Sequence, residues 1–292
     1  LAGAGMQDIK RRIRSVNSTK QITKAMELVA SSKMKKTKER LETTRPYFNA
    51  VRDAVNDIIS HTIGVRHKLI TPREIKKTGY IVISADRGLA GGYNSNVIKA
   101  ATNHMKEKNE VSVITIGQKA KGFFKKRNYD IDGEFTHISE DPSYADAQNI
   151  GRLAVELYNQ GLVDEVNLVY TEFVSTISYN PKVIKLLPLE PEKNEKEDKE
   201  IENTELKDLM SYEPSPEAVL SYLIPKYIDS TIYGALVESA ASEQSARRIA
   251  MENATDNAED IIDTLELKYN RARQASITQE ITEIIGGAEA LS

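Results

Sequence analysis

The residues that come nearest to a chemical site are Ser84-Ala-Asp-Arg-Gly-Leu-Ala-Gly-Gly-Tyr-Asn94. They follow an apolar, strand-like run and lead into a helical pattern. In that context a glycine-rich turn can cradle phosphate on backbone N–H groups. But Gly88, Gly91 and Gly92 do not make G-x-G-x-x-G, and no G-K-[ST] follows. A tight strand-to-helix connection that needs positive φ is the preferred reading. His61, His67, His104 and His137 stand at no spacing that suits a metal or a catalytic triad. Asp141-Pro142-Ser143 reads as a turn and helix N-cap, not as an acid–base pair. The chain has no Cys, which excludes a disulfide framework, a thiolate metal site and a Cys nucleophile.

A second chemistry is offered by Lys10, Arg11, Arg12, Arg14, Lys20, Lys24, Lys33, Lys35, Lys36 and Lys38, which could bind phosphates. The segment has no aromatic residue for base stacking, however, and its apolar stripe demands a helical partner. An acidic protein surface is the better match. Residues 10 to 40 carry eleven Lys/Arg against Glu27 and Glu39, and residues 238 to 292 carry eleven Asp/Glu against five Lys/Arg. The net charge of -3 hides that asymmetry.

The elements around these residues fall into three groups. Met6 to about Thr44 reads as one helix, with Ile9, Ile13, Val16, Ile22, Met26, Val29, Ala30, Met34 and Leu41 as its stripe. Pro46 is expected to kink or break it at Arg45, and helical spacing resumes from Phe48 to Ile59. The arm of residues 1–62 would span ~80 Å. At the other end, residues 214–292 read as a second helix, kinked at Pro225. Met251, Ala254, Ala258, Ile261, Leu265, Tyr269 and Ala272 form its seam, and Ile277, Ile281, Ile284, Ala288 and Leu291 continue it after a stutter. Neither seam is viable alone, so the two are expected to pair antiparallel as a coiled coil.

Between them the pattern changes. Short apolar runs at Tyr80–Ser84, Val111–Ile116, Asp130–Phe135 and Val166–Phe173 alternate with helical stretches at Tyr93–Lys108, Lys119–Lys126 and Ser143–Gln160. Val183–Leu189 reads as a strand antiparallel to the last. This predicts an inserted, Rossmann-like α/β domain over 77–189. Residues 190–213 are the core of an acidic segment that reads as a loop. The fold class is α/β plus coiled coil, a rod with a knob. No apolar run reaches transmembrane length, and the first residues do not form the apolar core of a signal peptide, so the chain is expected in the cytosol unless a partner attaches it to a membrane.

Three stretches together resemble one family, the gamma subunit of F-type ATP synthases. They are Ile22-Thr-Lys-Ala-Met-Glu-Leu-Val-Ala-Ser-Ser-Lys-Met34, Asp86-Arg-Gly-Leu-Ala-Gly-Gly-Tyr-Asn94 and Ala275-Ser-Ile-Thr-Gln-Glu-Ile-Thr-Glu-Ile-Ile-Gly-Gly-Ala288. The last is preceded by Ser242-Glu-Gln-Ser-Ala-Arg-Arg-Ile-Ala-Met-Glu-Asn-Ala-Thr-Asp-Asn257. The resemblance covers essentially the whole chain, and its C-terminal stretch is highly specific. Ala90 stands where many relatives carry Cys. The plant-type insertion with its Cys pair is missing, which points to a bacterial type without a thiol switch.

The resemblance implies a non-catalytic rotor with no cofactor, metal or small-molecule ligand of its own. The coiled coil would turn inside a ring of three alpha and three beta subunits, above epsilon and the membrane c-ring. It would couple proton or sodium flow to ATP synthesis at the cytoplasmic face of the bacterial membrane. Its implied ring contacts are Lys24 and Met26 on the first helix, and Arg247, Arg273, Gln274, Thr278 and Glu280 on the second. Met26 suits the seam equally well. A bearing favours small or polar exposed side chains, and Ser239, Ala240, Ala241, Ser242, Ser245 and Ala246 are expected to supply them. The alternatives are a nucleotide-binding α/β enzyme, which nucleotide titration would reveal, and a nucleic-acid-binding coiled coil, which a mobility shift would reveal.

Overall fold

The computed structural model describes residues 2–61, 67–189 and 215–289. The acidic segment predicted as a loop, residues 190–213, lies outside them. Two helices of unusual length open and close the chain: α1, Ala2–His61, and α5, Pro216–Glu289. The chain divides into two compact units, residues 33–246 and the two terminal stretches 1–32 and 247–292.

In the first unit, five strands form one mixed sheet. They are β1, Lys77–Ile83; β2, Glu110–Ile116; β3, Asp130–Phe135; β4, Glu165–Phe173; and β5, Tyr179–Leu187. Their order is β3-β2-β1-β4-β5, all parallel except β5, which pairs antiparallel with β4. α2, Tyr93–Met105, and α3, Gln118–Lys126, cover one face. There Tyr80, Val82, Val113 and Val169 pack with Val97, Ala101, Ala120 and Phe124. The alternate strand residues Ile81, Ile83, Ile114, Ile116 and Leu168 point to the other face, as the two-residue period requires. They meet α4, Tyr144–Asn159, and the α5 stripe Leu220, Ile224, Ile228 and Ile232. Ser143 caps α4: its hydroxyl accepts from the Asp146 amide at 3.2 Å, and its own amide donates back to the Asp146 carboxylate at 2.9 Å.

Neither proline ends its helix. Pro46 lies inside α1 and Pro225 inside α5. A proline ring removes one hydrogen bond but holds a φ that a helix accepts, so packing on both sides can carry the helix through. Beyond Pro46 the Phe48 ring stacks edge-on against Tyr233 at 5.9 Å, and Val55 and Ile58 join the core. Gly234 makes room for that ring, because a Cβ there would lie 3.3 Å from it.

The small stretch of α5 is not an exposed bearing surface. Ser239, Ala240, Ala241, Ser242, Ser245 and Ala246 are all buried. The cause is the end of β1. β1 pairs with β4 only as far as Val169, so the rest of β4 needs another neighbour on that side. Thr171 stands opposite Pro181 of β5, which has no N–H to exchange. Its backbone therefore points away from β5, and α5 receives it. The Thr171 amide donates to Ser239 Oγ at 3.2 Å, and Ser242 Oγ donates to the Thr171 carbonyl at 3.2 Å. One turn on, Ser245 Oγ donates to the Thr176 carbonyl at 2.6 Å. Short side chains let the helix replace a strand.

In the second unit the two helices run antiparallel. Thr23 meets Thr255 at 2.8 Å and Lys20 meets Glu259 at 2.9 Å, while Lys10 and Ile13 share a cleft with Glu266, Tyr269 and Asn270.

Candidate partner interface

The inward residues of α5 are Met251, Thr255, Ala258, Ile262, Leu265, Tyr269, Ala272 and Ser276, alternately four and three apart. Those of α1 are Met6, Ile9, Ile13, Val16, Lys20, Thr23, Glu27 and Ala30, at the same spacing. That is a 3.5-residue period, the repeat that keeps two helices facing each other. The register differs from the one read in the sequence. Ile261 is out and Ile262 in. Ile22 and Val29 are out, and polar Lys20, Thr23 and Glu27 take the inward places. Apolar residues alone could not reveal this, because at these levels the seam is polar.

Among the described residues outside the seam, the predicted contacts other than Arg247, and the exposed apolar residues nearest them, fall in two patches. The first is on α1, where Ile22, Leu28 and Val29 are exposed beside Lys24. Lys24 pairs with Glu27 at 3.0 Å and keeps more than half of its side chain in solvent. Met26 is half-buried between this patch and the seam. The second is the end of α5. Arg273, Gln274, Thr278 and Glu280 are exposed, and so are Ile277, Ile281, Ile284 and Ile285. Thr278 Oγ1 donates to the Gln274 carbonyl, and Glu280 accepts from Ser276. The pairing that joins Thr23 to Thr255 brings Ala2 level with about Ile277. The later isoleucines therefore have no counterpart among the described residues of α1, and the predicted continuation of the seam is an open apolar face. Leu291 lies outside the described residues. The two patches are roughly 30 Å apart along the helices, so the structure does not bring the seven predicted contact residues together. Arg247 belongs to neither patch, for it is only 8% exposed.

The glycine-rich turn is knitted to its own surroundings. Gly91 has φ +52° and Leu89 +61°, and Gly92 is the N-cap of α2. The Asn94 side chain accepts from the Ala85 amide at 2.9 Å and donates to the Arg87 carbonyl at 3.4 Å. Asp86 accepts from the Gln118 amide and from the Ser139 hydroxyl and amide. Burial opposes ionisation of Asp86, but these bonds and one from the His137 backbone outweigh it and hold the carboxyl below its usual range. The positive φ at Gly91 supports the structural reading of the motif. No group of three or more His, Cys, Asp or Glu able to hold a metal occurs among the described residues.

The family model described as ATP synthase matches residues 5–291. The ATP synthase gamma chain of Alkaliphilus metalliredigens is 68% identical over 99% of each chain. The chain belongs to the ATP synthase gamma-chain family. Another gamma chain, named as sodium ion specific, from Acetobacterium woodii, is 49% identical over 98% of this chain and 99% of its own. Among solved structures, a chain of the central stalk and c-ring of the Tetrahymena thermophila mitochondrial ATP synthase has a TM-score of 0.58 at 25% identity, over 80% of this chain and 99% of its own. A chain of the Euglena gracilis mitochondrial ATP synthase has a TM-score of 0.70 at 18% identity, over 99% of this chain and 95% of its own, and shares the fold. The enzyme and nucleic-acid alternatives find no support in these relatives. Among the residues that sequence reading placed in the α1 stripe, Ile22 and Val29 turn outward instead.

Proposed function

We propose that this chain transmits rotation without chemistry of its own, through the two exposed patches of its antiparallel helix pair. A gamma chain is the rotor of the ATP synthase central stalk, and that is the role of this chain. Its partners are the alpha and beta subunits, epsilon and the c-ring. The observation that carries the contact reading is the outward face of Ile277, Ile281, Ile284 and Ile285, four large apolar side chains with nothing of this chain over them among the described residues. Such a face is stable in water only at a cost and favours a surrounding protein surface.

Lys24 and Arg273 would meet acidic loops of the ring, with Met26, Gln274, Thr278 and Glu280 beside them. Arg247, being buried, acts first within the chain. A contact equally good at every angle transmits nothing, so coupling requires that these contacts strengthen at some rotor positions and weaken at others. In this reading residues 1–62 and 214–292 supply the shaft as a coiled coil, and the Rossmann-like sheet domain of 77–189 meets epsilon and the c-ring. No described helix is long and apolar enough to cross a membrane, which accords with a peripheral place; the face assigned in this reading is the cytoplasmic one.

Co-expression with alpha and beta subunits tests it. The chain should purify with them in fixed stoichiometry as an ATPase, and removing the residues after Ser276 should lower proton or sodium pumping per ATP. Failure to assemble would refute the role, and unchanged pumping would refute the α5 contact.

A further inference from the structure

Pro46 has no N–H for the carbonyl of Glu42, one turn back in α1. Just before it, the Thr44 hydroxyl donates to the carbonyls of Arg40 and Leu41 at 2.8 and 3.3 Å. Both features bend or loosen a helix. Arg45 sits at this weak turn, and its guanidinium lies 3.6 Å from the Glu238 carboxylate of α5. The pair borders a cavity of about 290 Å³.

The groups around that cavity leave Arg45 as the cation for Glu238. Arg52 of α1 is taken by Asp53 at 3.3 Å, and Lys182 of β5 by Glu172 of β4 at 3.0 Å. Tyr170 of β4 and Tyr227 of α5 also line it. Glu238 Oε2 is buried without a hydrogen-bond partner. Burial, with Glu172 adding to it, raises the Glu238 carboxyl above its usual value, and Arg45, the Phe173 amide and Lys182 only partly offset this.

We propose that the Arg45–Glu238 pair is a releasable pin across a proline hinge in α1: ionised, it holds the turn after Pro46 on α5, and neutral, it lets that turn open by itself. Val55 and Ile58 keep the rest of the segment docked, so the opening is local. The pin has an unusual sign. A carboxyl raised in the fold adds stability at low pH, which is lost as pH rises through its folded value. Acid therefore strengthens the whole fold at this residue while it frees the hinge.

Hydrogen exchange on the full chain tests it. In Glu238→Gln and in Arg45→Gln, protection of the amides of residues 47–52 should fall about tenfold. The double variant should fall no further, and the Glu238→Gln chain should melt no lower than the parent. In a Pro46→Ala background the loss should shrink, since the hinge is gone. Lowering the pH from neutral to about 4.5, the ordinary carboxyl value that Glu238 exceeds, should reduce the protection factors of these amides in the parent and not in Glu238→Gln. Unchanged protection in Glu238→Gln would overturn the pin. So would an equal loss across β1 and β4, which would mean global destabilisation, or a loss that Pro46→Ala leaves intact.

Discussion

Thr23 of α1 and Thr255 of α5 join their hydroxyls at 2.8 Å inside the seam of the helix pair. Each also reaches a carbonyl of its own helix, Lys20 at 3.0 Å and Met251 at 2.8 Å. Two protons serve three contacts, so one hydroxyl donates to the other and the second donates to backbone. Removing either Thr leaves the other able to bond its own helix. Thr23→Val and Thr255→Val should therefore each cost less than about 1.5 kcal/mol. Together they should cost less than the sum, by ~0.5 kcal/mol or more. A double-mutant cycle by urea unfolding measures this, and strict additivity would show that the hydroxyls do not interact.

The same pair shows where sequence reading stops. The strands and helices of the sheet unit were legible to within a few residues, because alternation and turn residues such as Ser143 and Gly161 act locally. The antiparallel pairing was legible because two long apolar stripes need each other. The register was not, since Lys20, Thr23 and Glu27 occupy inward places that an apolar count assigns to Ile22, Met26 and Val29. The break that Pro46 could have made does not occur for a related reason: its cost is local, while the packing that overrides it comes from Tyr233, which meets Phe48 from far away in sequence. Burial of Ser239 to Ala246 depends on where β1 ends, which no local pattern records. Among the candidate contacts, Lys24, Arg273, Gln274, Thr278 and Glu280 are exposed as their predicted role needs, and Arg247 is not.

Two glycines with the same backbone sign should behave differently. Gly161 has φ +73° and open space where a Cβ would go, whereas Gly117 has φ +86° and would place a Cβ 2.3 Å from the Ser84 carbonyl oxygen. Gly161→Ala should cost about 1–2 kcal/mol, the strain of a left-handed residue. Gly117→Ala adds a clash with backbone that cannot yield, and should leave little folded chain. Similar unfolding midpoints for the two would mean that the β2–α3 connection relaxes freely.

The serine steps on α5 predict a specific loss. Ser239→Ala leaves the buried Thr171 amide without its acceptor, at a cost of about 1–3 kcal/mol. Exchange of that amide should accelerate more than that of Val169, which lies within the β1 pairing. Equal acceleration at both would indicate global unfolding instead of an opened β4 edge.

Asp86 sets an acid limb. Its carboxyl is held below the ordinary value of 3.8, so its stabilising effect is complete above that value and is lost as pH falls through the lower, folded one. Asp86→Asn should be less stable near neutral pH and lose less on acidification. Urea unfolding between about pH 6 and about pH 3 should show the two curves converging; parallel curves would mean that the carboxylate is no better bound folded than unfolded.

Arg247 and Arg273 separate the two ways a charge can matter in a rotor. Arg273 is exposed on the helix end whose isoleucines are bare, so Arg273→Ala should move the melt of the isolated chain by no more than about 0.5 kcal/mol. Its loss should be felt in the assembled complex, as fewer ions pumped per ATP. Arg247 is 8% exposed, and truncating it removes buried packing along its stem as well as the charge. Arg247→Ala should therefore lower the melt of the single chain first, by more than Arg273→Ala does, and lower pumping as a consequence. Thermal melts of the two chains and ATP-driven pumping of the two complexes decide the matter. An undisturbed melt for Arg247→Ala with impaired pumping would make Arg247 a partner contact after all, reached from outside despite its burial. A depressed melt for Arg273→Ala would mean that the end of α5 packs on the chain itself.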